Sequence, residues 1–370
     1  MKVALIHDHL AQDGGAEKVL KVFSDMFPEA PIYTLLYEKK QVDKYFKNRH
    51  IETSVIQKLP GGIKHYQWYL VFMPIAVEFF DLSSYDLVIS DASAFAKGVI
   101  TKPDCLHICY CHTPTRYLWS DTHQYINNLK YNKWFKKIIS MALSRIRMWD
   151  RLAADRVDVF IANSKTVKNR IAKYYRRDST VIYPPVETEK YSVRDLSTQP
   201  AEEKYFLAGC RLAPYKMIDL VVETFKKLGD DYKLKIFGDG VDLNRLQEIA
   251  GDAKNIEFLG RVSEDDKVKL FENTQAFINP QEEDFGITVV ESMAAGRPVI
   301  AYRRGGATET VIEGKTGVFF DEQTVESLMK AIKEFKEINF KPQEIKDYAN
   351  QFSVENFKRQ INDFIASHRK

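Results

Sequence analysis

Short runs of β-branched, mostly uncharged residues alternate along this chain with longer stretches of helical period. Residues 3–6 form the first such run, followed by Gly14, Gly15 and a helical pattern over 16–26; runs at 86–90, 106–110 and 157–162 repeat the arrangement. Strands that are apolar on both faces and separated by helices predict parallel sheets covered on both sides. The first block closes near residues 181–183, where Pro184, Pro185 and the polar stretch 187–203 read as a linker. A second alternation follows, with runs at 205–208, 233–237, 256–259, 276–279 and 298–301. The expected organisation is an acceptor-side Rossmann-like domain over 1–185, a linker over 186–203, a second Rossmann-like domain over 204–350 and a terminal helix over 351–370, with a cleft between the two domains. In that last segment Val354, Phe357, Ile361, Phe364 and Ile365 fall at helical spacing, and no strand follows them. The segment reads as a helix docking across the domain junction, or as one packed on the second domain.

Composition narrows the class. A chain of 370 residues exceeds one ordinary α/β core, and 45% hydrophobic with 28% charged residues places it among globular rather than disordered chains. The net charge of +3 makes no case for a nucleic-acid partner, and none is expected. The opening MKVALIHDHL is too short for a signal-peptide core, so it reads as a buried first strand of a cytoplasmic protein. No run of 18 apolar residues occurs, so no transmembrane helix is expected. Cys105, His107, Cys109 and Cys111 alternate on a strand, where same-face neighbours stand about 7 Å apart and cannot close on one ion. They read as small buried residues, and no metal site is expected.

Ligands of such sheets bind beyond the carboxyl ends of the strands, so the residues just after each run are the candidates for chemistry. The richest stretch runs from Glu282, Glu283 and Asp284 through Phe285, Gly286 and Ile287 to Glu291. Acids at a helix start are favoured by the dipole, so Glu283 and Asp284 also fit simple capping. Glu283 and Glu291, with seven residues between them, place one carboxylate before the helix and one a turn inside it. They can accept from two different polyols, such as a hexose and a ribose. Gly286 permits close approach of the backbone, whose amides can donate to sugar hydroxyls. Arg211 and Lys216 on one post-strand loop suit a diphosphate, or are solvated surface charges. Gly14 and Gly15 open a helix whose amides can meet a phosphate. Gly238 and Gly240 do similar work or make a turn, and without the rest of a dinucleotide fingerprint they argue against a nicotinamide enzyme.

Together these features resemble the family-4 retaining glycosyltransferases of GT-B fold. The resemblance spans essentially the whole chain and rests most firmly on the two glutamates with the following AAGRPVI run at 294–300. The segment CHTPTRYLW at 111–119, with Asp284–Phe285–Gly286–Ile287, is most similar to bacterial GDP-mannose-dependent mannosyltransferases that build polysaccharides on lipid carriers. The resemblance implies that Arg211 and Lys216 hold the donor diphosphate, Glu291 the ribose, and Glu283 with the 285–287 amides the hexose. Arg261 and Val262 flank the base, Gly14 and Gly15 lie beside the phosphates, and His112 sits beside the reacting sugar. Arg116, Tyr117 and Trp119 fall on the acceptor side. No protein nucleophile is needed if the leaving diphosphate takes the acceptor's proton on the same face. No Asp-x-Asp motif follows a strand, so metal independence is expected.

Two apolar segments, 62–80 and 131–151, interleave aromatics with basic residues such as Lys133, Lys136, Lys137, Arg145 and Arg147. They fit contact with an anionic membrane, or core helices with a solvated basic face. A lipid-linked saccharide acceptor favours the former and places the enzyme at the inner face of the plasma membrane. The leading expectation is therefore transfer of mannose from GDP-mannose to that acceptor. Transfer of glucose or an N-acetylhexosamine from UDP is the alternative, followed by a catalytically silent sugar-nucleotide-binding subunit.

Overall fold

The computed structural model describes all residues except 13, 130, 198, 199, 201–203 and 370. The chain divides into two compact units, Met1–Tyr183 with Phe357–Lys370, and Pro184–Asn356.

In the first unit β1 (Val3–Leu10), β2 (Ile32–Tyr37), β3 (Ile51–Thr53), β4 (Leu87–Ala92), β5 (Leu106–Cys111), β6 (Val159–Ala162) and β7 (Ser179–Val181) form one sheet in the order β3-β2-β1-β4-β5-β6-β7. Every pairing is parallel. The chain winds outward to β3, returns past β1 and winds the other way, which makes the β1/β4 junction the switch point where ligand sites of such sheets form. Register there sets His7 opposite Asp91 and, one strand on, Ala92 opposite Cys111. β2 and β3 are absent from the sequence reading. The run IYTLLY is buried from Ile32 to Leu36, and such a short apolar run has no periodicity to distinguish strand from helix.

The last helix, Val354–His368, buries Phe357, Ile361, Phe364 and Ile365, the stripe read from the sequence. The boundary between units falls inside this helix, and Phe357 packs edge-on against Phe23 and Tyr110 of the first unit, at 5.4 and 5.7 Å between ring centres.

The second unit holds β8 (Tyr205–Gly209), β9 (Lys233–Phe237), β10 (Ile256–Gly260), β11 (Phe277–Asn279), β12 (Val299–Tyr302) and β13 (Gly317–Phe320), in the parallel order β10-β9-β8-β11-β12-β13. Residues 186–197, read from the sequence as linker, are packed onto this unit instead. The Val186 amide donates to the Phe352 carbonyl at 2.9 Å, Tyr191 is buried, and the Ser192 amide donates to Glu272 at 2.8 Å. Most of the remaining linker lies outside the described residues.

Candidate functional site

In the second unit, the polar side chains gather beyond the carboxyl ends of β8 and β11. After β8 the chain makes a single turn, Pro214–Lys216, and then enters the helix Ile218–Leu228 through Met217 in a left-handed conformation, φ 53°. A side chain there costs roughly 1–2 kcal/mol, a strain placed directly beside Lys216. After β11 the loop carries Gln281 and Glu283 into the helix Ile287–Ala294, whose N-cap is Gly286 at φ 88°. A glycine cap brings no side chain to the first-turn amides, which stay oriented along the helix axis.

Lys216 Nζ donates to Glu283 Oε1 at 2.5 Å, and Gln281 Nε2 donates to the same oxygen at 2.8 Å. Burial opposes the charge on Lys216, but Glu283 outweighs it and raises the ammonium above its ordinary value. One turn into the helix, Glu291 is 4% exposed and accepts from Lys267 Nζ at 2.9 Å. Lys267 also meets Glu264 at 3.1 Å. Burial and the neighbouring Glu291 push the Tyr191 hydroxyl far above its usual range, so it stays protonated and can donate. Each glutamate of the sequence pair thus has a lysine from a distant segment.

The glycines near this site have separate reasons. A Cβ on Gly240 would lie 2.0 Å from the Leu212 carbonyl oxygen, so the loop after β9 closes tightly over the one after β8. Gly305 and Gly306 abut the 283–285 segment, and the Gly306 amide donates to the Glu283 carbonyl at 2.8 Å. Arg211 donates to the Tyr215 hydroxyl at 3.0 Å on the surface of the same loop. Arg261 is 77% exposed and stands 3.8 Å from Asp239. A groove of about 800 Å³ runs along β9 and β10, away from Lys216 and Glu283; of the predicted donor residues only Val262 lines it.

The first unit presents a second polar group at its switch point. Asp91, 1% exposed at the end of β4, accepts from His7 Nδ1 at 2.8 Å and from His112 Nε2 at 2.6 Å. His7 Nε2 lies 3.9 Å from Glu17 of the helix Gly15–Met26. Burial disfavours charge on His7, yet its hydrogen bond to Asp91 and the nearby Glu17 carboxylate prevail and push its pKa up to about 10. Burial likewise works against the Asp91 carboxylate, and the two histidines overcome it. Next to this group, the Asp8 carboxylate accepts the amides of Ser93, Ala94, Phe95 and Ala96 at 2.6–2.8 Å and shapes the loop after β4.

Among the acceptor-side candidates, Trp119 is tied inward: its indole donates to Asp150 at 2.7 Å and its ring stacks on Tyr174. Arg116 pairs with Asp121 at 2.8 Å, and Tyr117 packs against Tyr125. The structure therefore brings His112 into a polar site and shows Trp119 serving the core. Sequence reasoning missed His7, Asp91 and Lys267, whose partners lie 21 to 84 residues away, and also Glu17 and Gln281, which no motif marks although Gln281 stands two residues from Glu283. Cys109 and Cys111 are buried on β5 and Cys105 just before it, and among the described residues no group of three or more His, Cys, Asp or Glu side chains is arranged to hold a metal ion.

The helix Lys133–Ala153 buries Leu143 and Ile146 but turns Trp134, Ile138, Met141, Met148 and Leu152 outward, Trp134 at 79% exposure. Trp68, Phe72 and Phe79 are exposed as well. Among the described residues no helix is long and apolar enough to cross a membrane.

Two doubly wound parallel sheets, each with its polar cluster beyond the strand ends, make up the GT-B class of glycosyltransferase fold. Residues 13–190 match the family Glycosyltransferase Family 4 and residues 192–352 match Glycosyl transferases group 1, and the chain belongs to these glycosyltransferases. It is 26% identical over 428 aligned positions to the alpha-1,3/1,6-mannosyltransferase ALG2 of Dictyostelium discoideum, covering 99% of this chain and 98% of that protein. It is 27% identical to the GDP-mannose-dependent alpha-(1-6)-phosphatidylinositol monomannoside mannosyltransferase of Mycolicibacterium smegmatis, over 47% of this chain and about half (52%) of that protein's length. The solved structure of Anabaena Alr3699/HepE in complex with UDP superposes with a TM-score of 0.72 at 17% identity, over 99% of this chain and 100% of that one.

Proposed function

We propose that this glycosyltransferase transfers mannose from GDP-mannose, with retention of configuration, to a lipid-linked saccharide in bacterial polysaccharide or glycolipid synthesis. The observation that carries the reading is the pair of lysine–glutamate contacts, Lys216–Glu283 and Lys267–Glu291, spaced along one loop and helix of the second unit. Glu291 accepts the ribose hydroxyls. Glu283 and the 285–287 amides hold the hexose, and Lys216 with Arg211 neutralises the diphosphate. The mannosyltransferase relatives support the sugar.

In the step proposed, the bond from the anomeric carbon to the leaving phosphate oxygen breaks as the acceptor oxygen bonds that carbon on the same face. The acceptor's proton passes to the departing diphosphate. Charge then builds on the diphosphate, where fixed cations stabilise it; losing one such donor typically costs about 10²–10³ in turnover. The step needs no metal. His112 contacts the transferred hexose. The outward apolar face of Lys133–Ala153, flanked by Lys133, Lys137 and Arg145, supports peripheral attachment to an anionic membrane at the inner face of the plasma membrane.

Thermal stabilisation by GDP, GDP-mannose, UDP, UDP-glucose, UDP-N-acetylglucosamine and NAD tests the donor. A ligand at 100 times its Kd adds about 2.7 kcal/mol to the folded state. Selective stabilisation by GDP species is expected. A UDP preference transfers the reading to the alternative donor, and silence from every nucleotide refutes the site.

A further inference from the structure

We propose that Asp91 is a positioning residue for the transfer reaction: it fixes the His112 ring with Nε2 toward the protein and Nδ1 toward the transferred sugar, and His7 with Glu17 holds Asp91 in place. The inference rests on the reading of His112 as a hexose contact.

Four elements supply the group. β1 and β4 are register neighbours, so His7 stands directly opposite Asp91. β4 and β5 are neighbours too, with Ala92 opposite Cys111, which brings His112 just past the strand end and onto the same carboxylate. The helix Gly15–Met26 adds Glu17. Each oxygen of Asp91 has its own imidazole, Oδ2 that of His7 and Oδ1 that of His112, so the carboxylate cannot rotate without losing one of them. Gly14 makes room for Glu17: a Cβ there would lie 2.8 Å from Glu17 Oε2.

His7, Glu17 and Asp91 are buried, whereas the His112 side chain is 12% exposed and is the member that reaches outward. Its Nε2 is committed to Asp91, while Nδ1 has no hydrogen bond among the described residues. An ionised carboxylate can only accept, so the hydrogen lies on Nε2, and in the neutral ring Nδ1 is left as an acceptor. A sugar hydroxyl is the donor that fits. Asp91, held below its ordinary value by its two histidines, stays ionised and sets a carboxylate charge directly against His112. That charge favours positive charge at or beyond the ring, as develops on a sugar whose leaving group departs. Buried ion pairs contribute little to stability against apolar replacements, so a group of this kind is better explained by what it orients.

The test is a double-mutant cycle on turnover, read as nucleoside diphosphate released from whichever sugar nucleotide stabilises the protein, with calorimetry on the free nucleoside diphosphate alongside. H112A and D91N should each lower kcat about 10- to 100-fold with the nucleotide Kd unchanged, and D91N/H112A should be no worse than H112A. Losses that multiply would show that Asp91 acts elsewhere and overturn the proposal. If H112A turns over normally, the hexose-contact reading itself falls, an outcome distinct from additivity. Should D91N fail to fold, nitrogen-15 NMR of histidine-labelled wild-type protein decides the matter, with H112A identifying the signal. An Nε2–H ring is expected for His112, and a neutral Nδ1–H ring overturns the proposal.

Discussion

Glu291→Gln tests the assignment of the nucleotide site most sharply, because the change removes a charge and keeps the shape. Glu291 is 4% exposed and accepts from Lys267 Nζ at 2.9 Å. If it also accepts from both ribose hydroxyls, two charge-assisted hydrogen bonds become neutral ones. Charged hydrogen bonds are about twice as strong as neutral ones and net about 1.5–3 kcal/mol each. The expected loss is therefore about 1–3 kcal/mol, or about 5- to 150-fold in Kd. Stability falls less than deletion of an ion pair would suggest, since Lys267 keeps Glu264 at 3.1 Å. A cost of about 1–2 kcal/mol lowers Tm by about 2–8 °C for a unit of this size.

Calorimetry with GDP and its 2′,3′-dideoxy analogue separates the ribose contact from general damage. The wild-type protein should prefer GDP, and the variant should keep only the weaker preference that neutral hydrogen bonds give. A variant that discriminates against the dideoxy analogue as strongly as wild type does, or that binds GDP as tightly as wild type, refutes the assignment.

Four further outcomes are expected. Gly306→Ala places a Cβ 2.4 Å from Phe285 Cα and 2.5 Å from its carbonyl oxygen, backbone atoms that no rotamer can avoid, so it should cost about 1–3 kcal/mol and lower Tm by several degrees in a thermal melt. The folded-state pKa of His7, about 10, exceeds the ordinary 6.5, so the stabilisation is complete below about pH 6.5 and lost as pH rises through 10; wild-type stability should decline over that window more steeply than that of His7→Gln in urea melts. Trp134→Glu with Ile138→Glu should abolish sedimentation with vesicles rich in phosphatidylglycerol while leaving Tm and nucleotide affinity intact, because both side chains are exposed. Treatment with EDTA should leave turnover unchanged; a loss restored by magnesium would refute the metal-free step.

Legibility in the sequence followed the distance over which each feature is encoded. The strands Tyr205–Gly209 and Lys233–Phe237 could be read as short apolar-rich runs between helical patterns. β3 is Ile51–Glu52–Thr53, with a single apolar residue, so no apolar run marked it. The stripe on Lys133–Ala153 was visible, but its two faces were not separable. Leu143 and Ile146 point in while Ile138 and Met141 point out, so the helix is apolar on both sides and only packing distinguishes them.

The same principle divides the site. Glu283 and Glu291 belong to one loop and helix, so their spacing is local and could be read directly; Lys216 is 67 residues from Glu283 and could be named only through its own loop. The group around Asp91 has no local signature at all. His7 and Asp91 meet because β1 and β4 are adjacent in register, a fact fixed by the crossover that returns the chain from β3 to the middle of the sheet. Gly14 shows the consequence. A glycine pair opening a helix suggests phosphate binding whenever it is met in a sequence. Here its lack of a side chain leaves space for Glu17 Oε2, and so lets that carboxylate approach His7. Replacing Gly14 with alanine would therefore press first on the Glu17 carboxylate and through it on the ring of His7, whatever phosphate the helix amides meet.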